Sequence, residues 1–211
     1  MATKIKPPAT PKPKLQPKPF ATKAVVLSSK TSYKGKVFNV TTDKVTEPGG
    51  ITSTRDVIHH NGSVVIFAVD SSINPADPTI LIERQYRHAA GQLLLDLPAG
   101  RIEPGEAPLA AAKRELIEET GYHARRWSRL IRYYASPGFL AETMQVFIAQ
   151  DIRPGIAHPE PDEKIALLKI PLSELLRLIR DGKILDGKTI LSVQFFAIHK
   201  DSLTRTEIPP K

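Results

Sequence analysis

The chain has 211 residues, 30 basic against 22 acidic, a formal charge of +8 and no cysteine. That length suits one domain with a small extra module or tail, long enough to bury a full core without staples. Disulfides, thiolate catalysis and Cys-ligated zinc or iron–sulfur centres are excluded, which fits a reducing cytoplasm, and no apolar run approaches the length that a bilayer requires.

Residues 1–23 contain Lys4, Lys6, Lys12, Lys14, Lys18 and Lys23, six prolines and no acidic residue. Setting those lysines aside leaves 24 basic against 22 acidic residues, so the body carries only +2. A Lys/Pro segment cannot bury apolar surface and reads as a disordered, polyproline-leaning arm. It lacks the apolar stretch of a secretory signal and the arginines of a mitochondrial presequence. The near-neutral body argues against nucleic acid as a partner.

Residues 24–55 read as a small β module, with short β-branched runs over 24–29 and 36–42, a Pro48-Gly49-Gly50 turn and a further run over 53–58. Phe38 is expected in the core. Two or three such strands cannot bury both faces alone. After a turn at His60-Asn61-Gly62, the strongest strands are 63–70 and 79–84, then an apolar run over 93–97 ending at Pro98. His59, His60 and His88 have no third ligand at zinc spacing and read as turn and surface residues. Residues 106–120 are rich in Ala, Glu, Leu, Lys and Arg, a helix that Gly121 is placed to end. Strands follow over 129–135 and 143–149, a loop over 155–162 and a strand over 164–170. Ser173 is expected to cap a helix over 174–181. Residues 189–199 have helical spacing but a β-leaning composition. The sum is an α+β chain, a sheet between helices: an arm (1–23), a β module (24–55), a main domain (56–200) and a tail (201–211).

The informative segment lies around the acidic helix. Glu115, Glu118 and Glu119 stand at i, i+3 and i+4, so their carboxylates share one helical face. Like charges at that spacing repel, and the last turn of a helix disfavours anions. Bound cations would offset both costs, and hard oxygen ligands suit Mg²⁺ or Mn²⁺ rather than zinc. Arg114 and Lys113 flank the cluster.

From Gly100 to Tyr122 the segment resembles the Nudix box, G-x5-E-x7-R-E-U-x-E-E-x-G-U, in which U is a bulky aliphatic residue. Gly100, Glu106, Arg114, Glu115, Glu118, Glu119 and Gly121 match all seven fixed letters, and Leu116 matches the first U. At about 6% usage per residue type, seven chance matches fall below about 10⁻⁸ per start position. Tyr122 departs from the final U and is expected to pack. The resemblance implies an α/β/α sandwich with a mixed sheet and hydrolysis of a nucleoside diphosphate linked to another group. It implies metal binding by Glu115, Glu119, Glu118 and the carbonyl of Ala99, with Glu106 and Arg114 orienting the ligands.

A wider resemblance, over about residues 24–200, is to the ADP-ribose pyrophosphatase branch of that family. Pro137 follows Gly121 by sixteen residues, and Ser136-Pro137-Gly138-Phe139-Leu140-Ala141-Glu142 is similar to the loop that carries the branch's catalytic base. Glu142 takes that role by resemblance, with Glu118 as a second candidate, and Pro137 and Gly138 join the substrate-binding set. Arg87, in Glu83-Arg84-Gln85-Tyr86-Arg87, is the candidate for phosphate or terminal ribose, and Arg55 for the adenine side. The branch implies a homodimer completed through residues 24–55. The expected substrate is ADP-ribose, cleaved to AMP and ribose 5-phosphate. The alternatives are ADP-glucose or GDP-mannose as substrate, or a non-catalytic sensor of ADP-ribose.

Overall fold

The computed structural model describes residues 23–159 and 164–203. The Lys/Pro arm, the tail beyond residue 203 and the end of the 155–162 loop lie outside the described residues. Among the described residues no helix is long and apolar enough to cross a membrane.

Three antiparallel strands form a separate sheet: β1 (Val25–Lys34), β2 (Asn39–Thr46) and β3 (Thr52–His59). It packs little of its own surface. β1 is exposed along its length, and Val25, Val26, Leu27 and Ile51 are all more than half exposed. Phe38 is not core: it sits in the β1–β2 turn, 38% exposed, with its ring centre 5.6 Å from that of Tyr33. The sheet is tied to the main domain where Ile58 N–H donates to the Phe139 carbonyl at 2.8 Å and Ala141 N–H to the Ile58 carbonyl at 2.9 Å.

The main sheet runs β10 (Ile165–Pro171), β5 (Thr79–Arg87), β4 (Ser63–Asp70), β9 (Thr143–Pro154), β8 (Tyr122–Tyr134), and only β4 and β9 are parallel. β4 reads as an unbroken apolar run because both of its faces are covered. Val64, Ile66 and Ala68 meet Ala111, Ala112 and Leu116 of α1 (Pro108–Thr120). The alternate residues Val65, Phe67 and Val69 meet Leu172 and Leu175 of α2 (Leu172–Arg180), and Val193 and Phe196 of α3 (Gly187–Leu203). The layering is α/β/α, as expected. Full burial of a side chain such as Leu116 contributes about 1.5–3 kcal/mol.

β4 and β5 pair only at Val69/Ile80 and Asp70/Thr79 and then part. β6 (Gln92–Asp96) takes over pairing with β5, and β7 (Ala99–Arg101) with β4. Asp96 and Ala99, three residues apart, end up on opposite sides of this split, and α1 lies over it.

Several boundaries differ from the sequence reading. α1 starts at Pro108, not at 106, because Glu106 closes a turn: its carboxylate accepts Glu103 N–H at 3.0 Å, and Pro108 suits the first helical position. β8 starts at Tyr122, seven residues before the expected strand; an edge strand tolerates its arginines because they face solvent. Residues 189–199 follow the helical of their two readings, within α3. Tyr122 packs as expected, against the core under α1, with Lys169 Nζ 5.2 Å from its ring centre.

Ser173 does not cap α2. It lies within the helix, and Asp77, in the β4–β5 loop, accepts its backbone N–H at 2.8 Å and its hydroxyl at 2.6 Å. Those bonds, the hydroxyl first, hold the Asp77 carboxyl below the ordinary aspartate range. The stabilisation is therefore complete above the unfolded value and is lost as pH falls through the folded one. Asp77→Ala is expected to lower the thermal midpoint, read by circular dichroism at pH 7, and the gap from wild type should close as pH falls below about 4. An unchanged midpoint at pH 7 would show that the cap contributes nothing.

Candidate active site

The last two turns of α1 present Glu115, Glu118 and Glu119 towards the split in the sheet. Glu119 is only 6% exposed, and its Oε2 accepts the Ala99 N–H at 3.0 Å, which ties the helix to β7. The close approach needs a glycine at 100, because a Cβ there would stand 1.9 Å from the Glu115 carboxyl carbon. Gly121 closes the helix with a φ of 71°, a left-handed conformation that favours glycine, and its N–H donates to the Ile117 carbonyl at 2.8 Å.

Arg114 organises the cluster. Its Nε and Nη2 donate to the two oxygens of Glu106, each at 3.0 Å. Its Nη1 donates to Glu115 Oε1 at 2.7 Å and to Glu118 Oε2 at 2.9 Å, and its Nη2 also reaches the Arg101 carbonyl at 3.1 Å. Only the planar guanidinium fork can serve so many acceptors at once. The hydrogen bonds that it donates to Glu106 raise the Arg114 pKa well above its ordinary range. In return Arg114, and then the Glu103 N–H, hold Glu106 below its own.

Arg87, Ala99, Arg114, Glu115, Glu118 and Glu119 line one cavity of about 610 Å³. Six of the residues singled out in the sequence thus meet there, while Glu106 stands behind Arg114. Arg87 reaches the cavity from β5, with Nε at 3.0 Å and Nη2 at 2.6 Å from Asp96 Oδ2. Burial alone would lower its pKa, but the charge and hydrogen bonds of Asp96 outweigh that and raise it. Glu142 does not itself line the cavity. Its Oε1 accepts the Ser63 hydroxyl at 2.6 Å and lies 3.5 Å from His60 Nδ1. Arg55, Pro137 and Gly138 line a different depression of about 430 Å³ with Tyr134 and Phe139, and Arg55 pairs with Glu47 at 2.6 Å.

His60 corrects the surface reading given to it. Its side chain is 9% exposed, its Nδ1 accepts the Gly62 N–H at 3.0 Å and it lines the cavity beside Glu142. His59 and His88 are exposed, as expected. Lys36, from the β1–β2 turn, and His158 also line the cavity and were missed. Their only sequence signal is polar character, since their proximity arises from chain segments far apart.

A divalent cation can be tested against this donor set. Among the described residues, no three acidic or histidine side chains converge on one point as a closed cage. Arg114 instead takes one oxygen each from Glu115 and Glu118, and one arginine cannot balance three carboxylates. Mg²⁺ keeps several waters and is usually held by one or two carboxylates together with substrate phosphate oxygens, so an open, all-oxygen, net-negative site fits it.

The NUDIX domain family model matches residues 60–190. The chain is 32% identical over 170 residues to the methanol dehydrogenase activator of Bacillus methanolicus, covering 80% of this chain and 89% of that one. It is 36% identical to the ADP-ribose pyrophosphatase of Mycobacterium tuberculosis, covering 82% of each. It is 33% identical to the GDP-mannose pyrophosphatase of Citrobacter koseri, covering 78% of this chain and 88% of that one. A crystal structure of an ADP compounds hydrolase superposes with a TM-score of 0.74 over 88% of this chain and 98% of that chain, at 21% identity, a likeness in fold.

Proposed function

This chain belongs to the Nudix family, and we propose that it is a divalent-metal-dependent hydrolase that cleaves the pyrophosphate bond of ADP-ribose to AMP and ribose 5-phosphate. The reading rests above all on one observation: the three carboxylates of α1 and the Arg87 guanidinium share a single cavity at the split of the sheet. Glu115, Glu118, Glu119 and the Ala99 carbonyl would hold Mg²⁺, with Mn²⁺ as a substitute. The ion would supply neutralisation of charge on the phosphate oxygens and make an attacking water more acidic.

The protein's own groups do the rest. Arg87 binds a phosphate of the substrate by paired N–H donors. Arg114 fixes the rotamers of Glu115 and Glu118, and Glu106 fixes Arg114, as supporting residues of a metal site must. Glu142 accepts the proton of the attacking water, its carboxylate held by Ser63. Glu118 is the second candidate for that proton. Arg55, Pro137 and Gly138, in the second depression, take the adenosine end. The exposed apolar residues of β1 support a homodimer made through the N-terminal sheet, and the cysteine-free chain supports action in the cytoplasm. A monomer by light scattering would reject the dimer.

A panel of ADP-ribose, ADP-glucose, GDP-mannose, NADH, a dinucleoside polyphosphate and capped RNA tests the reading. ADP-ribose is expected to be turned over fastest with Mg²⁺, with activity lost to chelator and restored by metal. The relative that acts on GDP-mannose makes that the second reading, and preferred turnover of it would replace the first. Binding of ADP-ribose without turnover would make the protein a sensor.

A further inference from the structure

Behind Arg87 lies a layer of charged groups that the scheme above does not use. Asp96, the last residue of β6, is fully buried and stands in register with Glu83 across β5 and β6. Its Oδ2 accepts three donors from two cations: Arg87 Nε at 3.0 Å, Arg87 Nη2 at 2.6 Å and Lys188 Nζ at 3.0 Å. Lys188 is in the first turn of α3, its side chain only 12% exposed, and its Nζ is also 3.0 Å from Asp186 Oδ1. Asp186 caps that helix through its other oxygen, which accepts the Thr189 N–H at 2.9 Å and the Thr189 hydroxyl at 2.6 Å. The Thr189 hydroxyl oxygen accepts the Leu97 N–H at 2.9 Å. The start of α3, some 90 residues along the chain, therefore grips residues 96 and 97, two positions before Ala99.

The consequence is electrostatic as well as mechanical. If Arg87 alone faced Asp96, the two charges would cancel as a closed pair inside the protein. Lys188, also paired with Asp186, shares the same carboxylate oxygen, so Asp96 is not committed to Arg87 alone, and Glu119 on the cavity side acts on Arg87 together with the buried Glu83. Both side chains of the Asp96–Lys188 contact are largely out of water, where such a charge is screened least. We propose that Lys188 is a positioning residue for Arg87: by sharing Asp96 it sets the orientation and the available charge of the guanidinium that receives a substrate phosphate.

This rests on the ADP-ribose reading of the cavity, and a double-mutant cycle separates the two. Wild type, Arg87→Ala, Lys188→Met and the double variant are compared on ADP-ribose with Mg²⁺. Each single change is expected to raise KM, Arg87→Ala by about tenfold, the loss of one charge-assisted contact. The kcat should stay within about threefold, since uniform binding is what is lost. The double variant should match Arg87→Ala alone, because Lys188 has nothing left to position. Multiplying effects, or a Lys188→Met that lowers kcat at unchanged KM, would overturn the proposal. Lys188→Gln, which keeps a donor without the charge, is the second variant and should behave in the same way; failure of both to fold would show that Lys188 serves the fold instead. If wild type does not turn over ADP-ribose, the reading of the function fails. The same four proteins then give the cycle on ADP-ribose binding by calorimetry, where additivity rejects the role of Lys188.

Discussion

Glu119→Gln is expected to reduce kcat by about 10²- to 10³-fold at saturating Mg²⁺, the scale of losing one group that stabilises transition-state charge. Glutamine has the same shape and can still accept the Ala99 N–H through its own oxygen, so the tie between α1 and β7 survives. What disappears is one full negative charge from a residue that is 6% exposed. The thermal midpoint should therefore hold, or even rise slightly as repulsion within the cluster falls. A Mg²⁺ titration should show weaker metal affinity, with more Mg²⁺ needed for half-maximal rate. A variant with kcat within about threefold of wild type would remove Glu119 from the metal site.

Gly100→Ala is expected to have an effect of similar size for a different reason. Its added methyl would stand 1.9 Å from the Glu115 carboxyl carbon and 2.0 Å from its Oε1, so the carboxylate must leave. The obstacle is a side chain, and the backbone at 100 is not in the left-handed region, so the fold can adjust. A displaced Glu115 also leaves Arg114 Nη1 with Glu118 alone. Loss of rate by about 10²-fold with a midpoint within a few degrees of wild type is expected. A large drop in midpoint at unchanged kcat would mean that the glycine serves folding and not the geometry of the carboxylate. Gly121 provides the contrast. There an added Cβ would meet the Ala157 backbone nitrogen at 2.6 Å, and φ is 71°, so the strain falls on the main chain.

The parts of this site that could be read from the sequence are the local ones. Glu115, Glu118 and Glu119 share a face because of helical spacing alone, and Arg114 lies within one turn of two of them. The strand expected over 63–70 is there as β4, and its apolar run is covered on both faces. The contacts that were not legible join distant residues. Ser63 and Glu142 are 79 residues apart, Asp96 and Lys188 are 92, and Asp77 and Ser173 are 96. Lys188 lies in Leu185-Asp186-Gly187-Lys188-Thr189, a segment similar to the C-terminal region of the ADP-ribose pyrophosphatase branch, but nothing in that segment points to Asp96. His60 was misjudged because a turn beside a glycine usually faces water, whereas this one folds back towards Glu142. Phe38 was misjudged because an aromatic residue in a β-branched run usually points inwards, and here it belongs to a turn. Arg55 and Arg87, expected at opposite ends of the substrate, line different depressions, one near the N-terminal sheet and the other at the split in the main sheet.

Arg114 has a consequence for how the protein is made. Acids packed this closely beside a cleft would ordinarily resist assembly until a mineral ion arrived to quieten them. Here the polypeptide brings a resident counter-ion, anchored to Glu106 and to a main-chain oxygen, that keeps the acids in their places. The acids are thereby expected to reach these positions during folding without waiting for a supply of metal.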